Sequence, residues 1–215
     1  MKKTYFYALA LLLMVRPVFG EKGFTHLREG DFLVQLGGDL QFTDSQAAGI
    51  PGASFSKKFT NSYVLNASVG AQVLGPFYFG LRYGYWLASQ NYNVSGVSSS
   101  DTLTIHGFGP EVGALWGNPR IQYRAVLGFS YPVGLKIDRQ QASSQTFSRD
   151  TLPLTYELRL QLNLKFNSHV SWLVEGGYRR VNLGKLLSGS TDYITSGASL
   201  DLSGLFVGTG MGIHF

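Results

Sequence analysis

From Thr151 to Phe166 the chain places Leu152, Leu154, Tyr156, Leu158, Leu160, Leu162, Leu164 and Phe166 on every even position. Between them stand Thr155, Glu157, Arg159, Gln161, Asn163 and Lys165. Successive side chains of a β-strand point to opposite faces, so this stretch predicts a strand with one wholly apolar face and one charged face. Strands of water-soluble sheets usually run about 5–6 residues. A tilted strand that crosses a bilayer needs about 9–11. The length and the alternation together point to a strand with lipid on one side.

The same period recurs seven more times. Apolar residues alternate over Phe32–Phe42, Tyr63–Val73, Phe77–Leu87, Ile121–Val133, Val170–Tyr178 and Leu205–Phe215. A segment over Thr102–Trp116 is less regular: Leu103 and Ile105 stand out of phase with Val112, Ala114 and Trp116, which predicts a bulge near Gly107–Pro110. Tight Gly, Pro, Asn and Ser turns fall at Leu74–Pro76, Gly117–Pro119 and Asn167–His169. The other connections are long and polar, about 44–58, 88–101, 138–150 and 184–199. Short turns at one end and long loops at the other, with eight segments, predict an all-β, membrane-spanning antiparallel up-and-down barrel over residues 31–215. Strands cross hydrocarbon only when the sheet closes, because an open edge has no water to satisfy it.

Composition agrees. Only 14% of the 215 residues are charged, against 44% hydrophobic, and Gly reaches 27. Aromatics and Gly are poor helix formers but suit strands and close backbone contacts. Met1-Lys2-Lys3, the apolar run Tyr5–Val15, Pro17 and then Val18-Phe19-Gly20 read as a cleaved secretory signal over 1–20, followed by a short periplasmic lead over 21–30. Without Lys2, Lys3 and Arg16 the 18 basic residues fall to 15 against 13 acidic ones, so the net charge falls from +5 to +2. No Lys/Arg run suggests nucleic acid. Cysteine is absent, which excludes disulfides and thiolate chemistry.

Aromatics gather at the strand ends, with Phe77, Phe79, Trp116, Phe166, Trp172 and Phe215 near the short turns and Phe42, Tyr63, Tyr85, Tyr131, Tyr156 and Tyr178 near the loops. Two such girdles mark the two membrane interfaces. The last segment ends on Phe215 with Ile213, Met211 and Val207 at alternate positions before it. This resembles the C-terminal signal of outer-membrane barrel proteins, and the whole chain after residue 20 resembles the small outer-membrane barrel superfamily typified by the OmpA transmembrane domain and OmpX. The Gly109-Pro110-Glu111-Val112-Gly113 stretch is similar to strands of such barrels. The resemblance implies a bacterial outer-membrane location, contact with lipid including lipopolysaccharide, and handling by the barrel-assembly machinery. It also implies a monomer that needs no cofactor. The chain ends at Phe215 without a peptidoglycan-binding domain, so no cell-wall tether is expected.

An eight-stranded barrel is just wide enough for side chains to fill it. Inward positions carry Arg82, Glu111, Arg124 and Glu175, each about five residues above a short turn, and a higher set of Asp39, Glu157, Arg159 and Arg179. Folding the chain about Ser168 sets Glu157 opposite Arg179, Gln161 opposite Glu175 and Leu164 opposite Trp172. Buried charges must pair, so these residues predict a salt-bridge plug, with a switchable gate as the alternative. A lipid-modifying enzyme is the third reading. Its candidate group is His169, Ser171 and Glu175, though His169-Val170-Ser171 also fits a plain turn; His106 has no obvious Ser or Asp partner, His26 and His214 sit near the termini, and four scattered histidines do not predict a metal site. The polar loops, with Tyr92, Phe147 and Tyr193 as lone aromatics, offer a surface for an external ligand. The expected function is that of a non-enzymatic outer-membrane protein supporting envelope integrity or surface interaction.

Overall fold

The structure, a computed structural model, describes residues 32–43, 61–94, 96–118, 120–140, 145–149, 154–182, 187–188, 191–192 and 201–215. The expected signal segment and lead, the connection 44–58, His26 and Tyr193 lie outside them. Among the described residues eleven strands form: β1 (Phe32–Thr43), β2 (Asn61–Leu74), β3 (Phe77–Val94), β4 (Val97–Gly117), β5 (Ile121–Gln140), β6 (Gln145–Arg149), β7 (Thr155–Lys165), β8 (Val170–Arg180), β9 (Leu187–Ser188), β10 (Thr191–Asp192) and β11 (Gly204–His214). Eight of them close a ring in the order β1, β2, β3, β4, β5, β7, β8, β11 and back to β1, every neighbour antiparallel. Strand β6 pairs antiparallel with the upper end of β5, and β9 pairs with β10.

Local chemistry sets the short turns. Asn118 Oδ1 accepts from the backbone N–H of Arg120 (2.9 Å) and Ile121 (2.8 Å). Asn167 Oδ1 does the same for His169 and Val170, both at 2.8 Å. These Asx turns work together with backbone bonds, from Asn118 N–H to Ile121 O at 2.8 Å and from Phe166 N–H to Val170 O at 2.9 Å. Gly117, at φ +122°, takes a conformation that side chains disfavour.

Two differences from the sequence reading concern length and phase. The stretch 88–101, expected as a loop, is mostly strand: β3 and β4 pair up to Val94 and Val97. Residues 138–140 likewise continue β5, where Asp138 and Arg139 pair with β6. Polar residues on both faces resemble a loop in sequence, yet an antiparallel hairpin above the membrane needs no apolar face. The bulge sits on β5, not on β4. His106 pairs with Gly134 and Gly107 with Pro132, so Val133 is the extra residue. Strand β4 keeps one phase throughout, and Leu103 (0% exposed) and Ile105 (1%) simply face inward with Glu111. On β5 the inward set changes from even to odd numbers, which turns Leu135 into the interior beside them.

The outside of the ring is apolar. Leu36, Leu65, Leu81, Leu158, Leu160, Val207 and Met211 are all exposed. The inside holds the polar residues, with Arg124, Arg159, Arg179, Glu111, Gln122 and Asn163 buried. Inward glycines make room for bulky rings: a Cβ at Gly80 would stand 2.5 Å from Tyr78 Oη, and one at Gly84 would stand 2.5 Å from Trp86 Cη2.

Candidate functional site

The lumen is filled at mid-height by one connected charge cluster. Asp39 comes from β1, Arg82 from β3, Glu111 from β4, Glu157 and Arg159 from β7, and Glu175 and Arg179 from β8. Even-to-odd alternation puts each of them on the inner face. Arg82 reaches three carboxylates, Asp39 Oδ2 at 3.1 Å, Glu175 Oε1 at 3.2 Å and Glu157 Oε1 at 3.5 Å. Arg179 holds Asp39 Oδ2 and Glu157 Oε2, both at 2.7 Å, and donates to Gln41 Oε1 at 3.0 Å. Arg159 pairs with Glu111 and, at 3.0 Å, with Glu157 Oε1. Neutral donors complete the shell: Tyr78 Oη to Glu111 (2.8 Å), Asn66 Nδ2 to Asp39 (3.0 Å) and Gln161 Nε2 to Glu175 (2.5 Å).

Glu157 stands directly across from Arg179 in the β7–β8 register, Gln161 across from Glu175, and Leu164 across from Trp172. The division into two belts is replaced by one cluster, because Arg82 and Arg159 each bridge members of both sets. Tilted, staggered strands make the residue count from a turn a poor measure of height. Arg124 stands apart. Its guanidinium lies 4.1 Å from the Tyr78 ring centre and donates to Gln35 Oε1 at 3.2 Å, with no carboxylate within ion-pair distance among the described residues.

Above the cluster the lumen turns apolar. Trp86, Ala88, Leu103, Ile105, Leu135, Val181, Leu202 and Phe206 are all buried. Arg179 lies under this layer, 4.3 Å from the Phe206 ring centre and 5.6 Å from that of Trp86. A desolvated guanidinium gains from an aromatic face as well as from its carboxylates.

The residues considered for catalysis do not assemble. Ser171 Oγ lies 3.0 Å from His214 Nε2, not beside His169, whose Nδ1 meets the backbone oxygen of His214 at 3.2 Å. Glu175 is bound to Gln161 and Arg82. His106 faces outward, and Tyr83 Oη lies 2.7 Å from its Nδ1. The Ser171–His214 contact follows from the β8–β11 register, in which Gly212 faces Ser171. A chain-order search for His-x-Ser misses it because the partner is 43 residues away. Ile213, Met211 and Val207 lie on the exposed face of β11, which pairs with β8 and β1, and Phe215 follows it, also exposed.

A ring closed by hydrogen bonds, apolar outside and charged inside, reverses the polarity of a soluble domain. The chain is a closed, eight-stranded, all-antiparallel β-barrel. Solved structures with a similar fold include the N-terminal β-barrel domain of Pseudomonas aeruginosa OprF, at 12% identity over 87% of this chain and all of that one, with a TM-score of 0.46. Neisserial surface protein A matches at 12% identity over 87% of this chain and all of its own, with a TM-score of 0.49. The outer membrane protease OmpT from Escherichia coli matches at 7% identity over 86% of this chain and 95% of its own, with a TM-score of 0.49. No family model matches the sequence. No curated protein matches it either.

Proposed function

We propose that this barrel is a non-enzymatic integral protein of the bacterial outer membrane, closed to solutes along its axis, that acts through its extracellular end in surface interaction or envelope integrity. The observation that carries the reading is the two-tier filling of the lumen: a charge cluster spanning five strands, roofed by a buried apolar layer. Ions crossing the lumen would have to part several buried ion pairs and then a dry layer, each costing several kcal/mol. At the other end of the argument, β3 and β4 run 18 and 21 residues, well beyond the span a bilayer requires. Their surplus forms a paired hairpin whose sequence is rich in Ser and Asn, suited to contact with an external partner or with lipopolysaccharide sugars.

Single-channel recording on the refolded protein tests the closed lumen. Silence is expected in the wild type, with folding checked by heat-dependent gel mobility. Discrete openings that change when both Glu157→Gln and Arg179→Gln are made would instead establish the gated channel. That second reading draws on the sharing of Arg82 among three carboxylates, which gives the pairs somewhere to go.

A further inference from the structure

The ring closes where its first strand meets its last. Every other neighbouring pair follows in chain order around the ring, but β1 and β11 come together only when the circle is complete. The cost of closing a loop rises with its length, so this pairing is the hardest to form. The inner face of β11 brings little to it. Its inward positions are Gly204, Phe206, Gly208, Gly210, Gly212 and His214, with no Asp, Glu, Lys or Arg among them. The inner face of β1 carries Gln35, Asp39 and Gln41, all buried.

The charges that hold β1 come from beyond its neighbours. Arg179 on β8 reaches over β11, with its guanidinium 4.3 Å from the Phe206 ring centre. On the far side it meets Asp39 Oδ2 at 2.7 Å and Gln41 Oε1 at 3.0 Å, two residues of β1 that stand 140 and 138 residues away in the chain. Gln41 Nε2 in turn donates to the backbone oxygen of Leu202, at 2.6 Å, where the chain enters β11. From the opposite side Arg82 on β3 reaches over β2 to Asp39 Oδ2 at 3.1 Å. Gly208 stands between Asp39 and Glu175 in the paired rows, and a Cβ there would collide with Asp39 Oδ1. The bare face of β11 is what lets Asp39 lie against the wall within reach of an arginine two strands away.

We propose that Arg179 is an internal clasp on the β1–β11 seam, drawing Asp39 and Gln41 of the first strand across the bare face of the last, so that the charge cluster governs whether this seam opens. Parting β1 from β11 breaks a ladder and also strips Arg179 and Arg82 of a buried carboxylate, and a buried charge that loses its partner is strongly unfavourable. The cluster members that bond elsewhere do not share this task. The device concerns closure of the ring; it goes beyond the proposed function and does not depend on it.

The test is backbone hydrogen exchange, read by mass spectrometry, on the protein refolded in lipid nanodiscs. The quantity is the exchange rate in residues 33–42 and 205–213 relative to that in residues 156–164 of β7. Asp39→Asn keeps the side chain's size and removes its charge, and is expected to raise this ratio at least about tenfold. Glu111→Gln is the comparison: Glu111 is also buried, but its bonds run to Tyr78 on β3 and Arg159 on β7. It is expected to leave the ratio within about twofold of the wild type. Gln41→Leu removes the second grip of Arg179 on β1 without removing a charge, and is expected to raise the ratio at least about threefold. It decides the matter alone should Asp39→Asn fail to refold. Equal ratios in Asp39→Asn and Glu111→Gln, or a wild-type ratio in Gln41→Leu, overturn the clasp.

Discussion

At the scale of single residues, Glu157 is the junction of the lumen, touching Arg82, Arg159 and Arg179 at once. Glu157→Ala leaves three buried guanidiniums short of one partner, and breaking a buried pair from one side costs about 3–5 kcal/mol. Urea unfolding should show a loss of that order. A double-mutant cycle with Arg179→Ala should return a coupling of at least 1 kcal/mol, about the lower range for directly interacting residues; additivity would separate the two. A steric prediction belongs beside it. Gly84→Ala pushes a methyl into the Trp86 ring and should cost about 1–3 kcal/mol, while Gly134→Ala, whose Cβ meets nothing within 4 Å, should change stability little. The residue scale is also where the sequence was least legible. Alternation marks a residue as inward, but it does not say which inward residues meet, because that depends on the stagger of strands distant in the chain. Glu157 and Arg179 share a tight hairpin, so their pairing could be read by folding the chain at Ser168. Arg82 with Glu175, 93 residues apart, could not.

At the scale of elements, the long β3–β4 hairpin divides into a membrane part and a part above it. Gln90 pairs with Asp101 where the extension continues, and the pairing runs on to Val94 and Val97. Replacing residues 91–100 with an Asn-Gly turn should leave a barrel that refolds with the native gel shift and loses no more than about 1 kcal/mol, because a two-residue turn of that type matches the strand twist. Failure to refold would show that the hairpin is part of the folding unit and not a platform on top of it. These residues read as loop because their two faces are both polar, and period-two hydrophobicity is blind to a strand that buries neither face. The membrane part was legible for the opposite reason: eleven residues of β7 alternate without a slip. The bulge was not legible: the phase break on β4 is only a change from polar to apolar inward residues at Leu103 and Ile105, while on β5 the apolar odd positions run on through Val133 to Leu135 and hide the extra residue.

At the scale of the whole molecule, the exterior is a hydrocarbon-facing surface, and position 160 tests it. Leu160 is 56% exposed and is flanked by Ala125 and Gly176 on the neighbouring strands. Leu160→Arg should cost about 2–4 kcal/mol in a bilayer, the range for a cation on the lipid face near the midplane. Equal stability of the variant in lipid would reject the assigned polarity. Eight segments, three tight turns and two aromatic girdles make this level of organisation readable in the sequence, because a closed barrel imposes the same pattern on every strand. The filling of the lumen imposes no such repetition.

Closure of the ring also bears on how long the molecule lasts. Phe32 and Phe215 exchange backbone hydrogen bonds at the seam, so even the first and last strands are held on both sides. No strand can peel away without breaking two ladders together, which removes the partly frayed forms on which degradation usually begins. Survival of the folded barrel is then governed by the rate of one concerted opening, a kinetic quantity, and not by the modest equilibrium margin of any single strand.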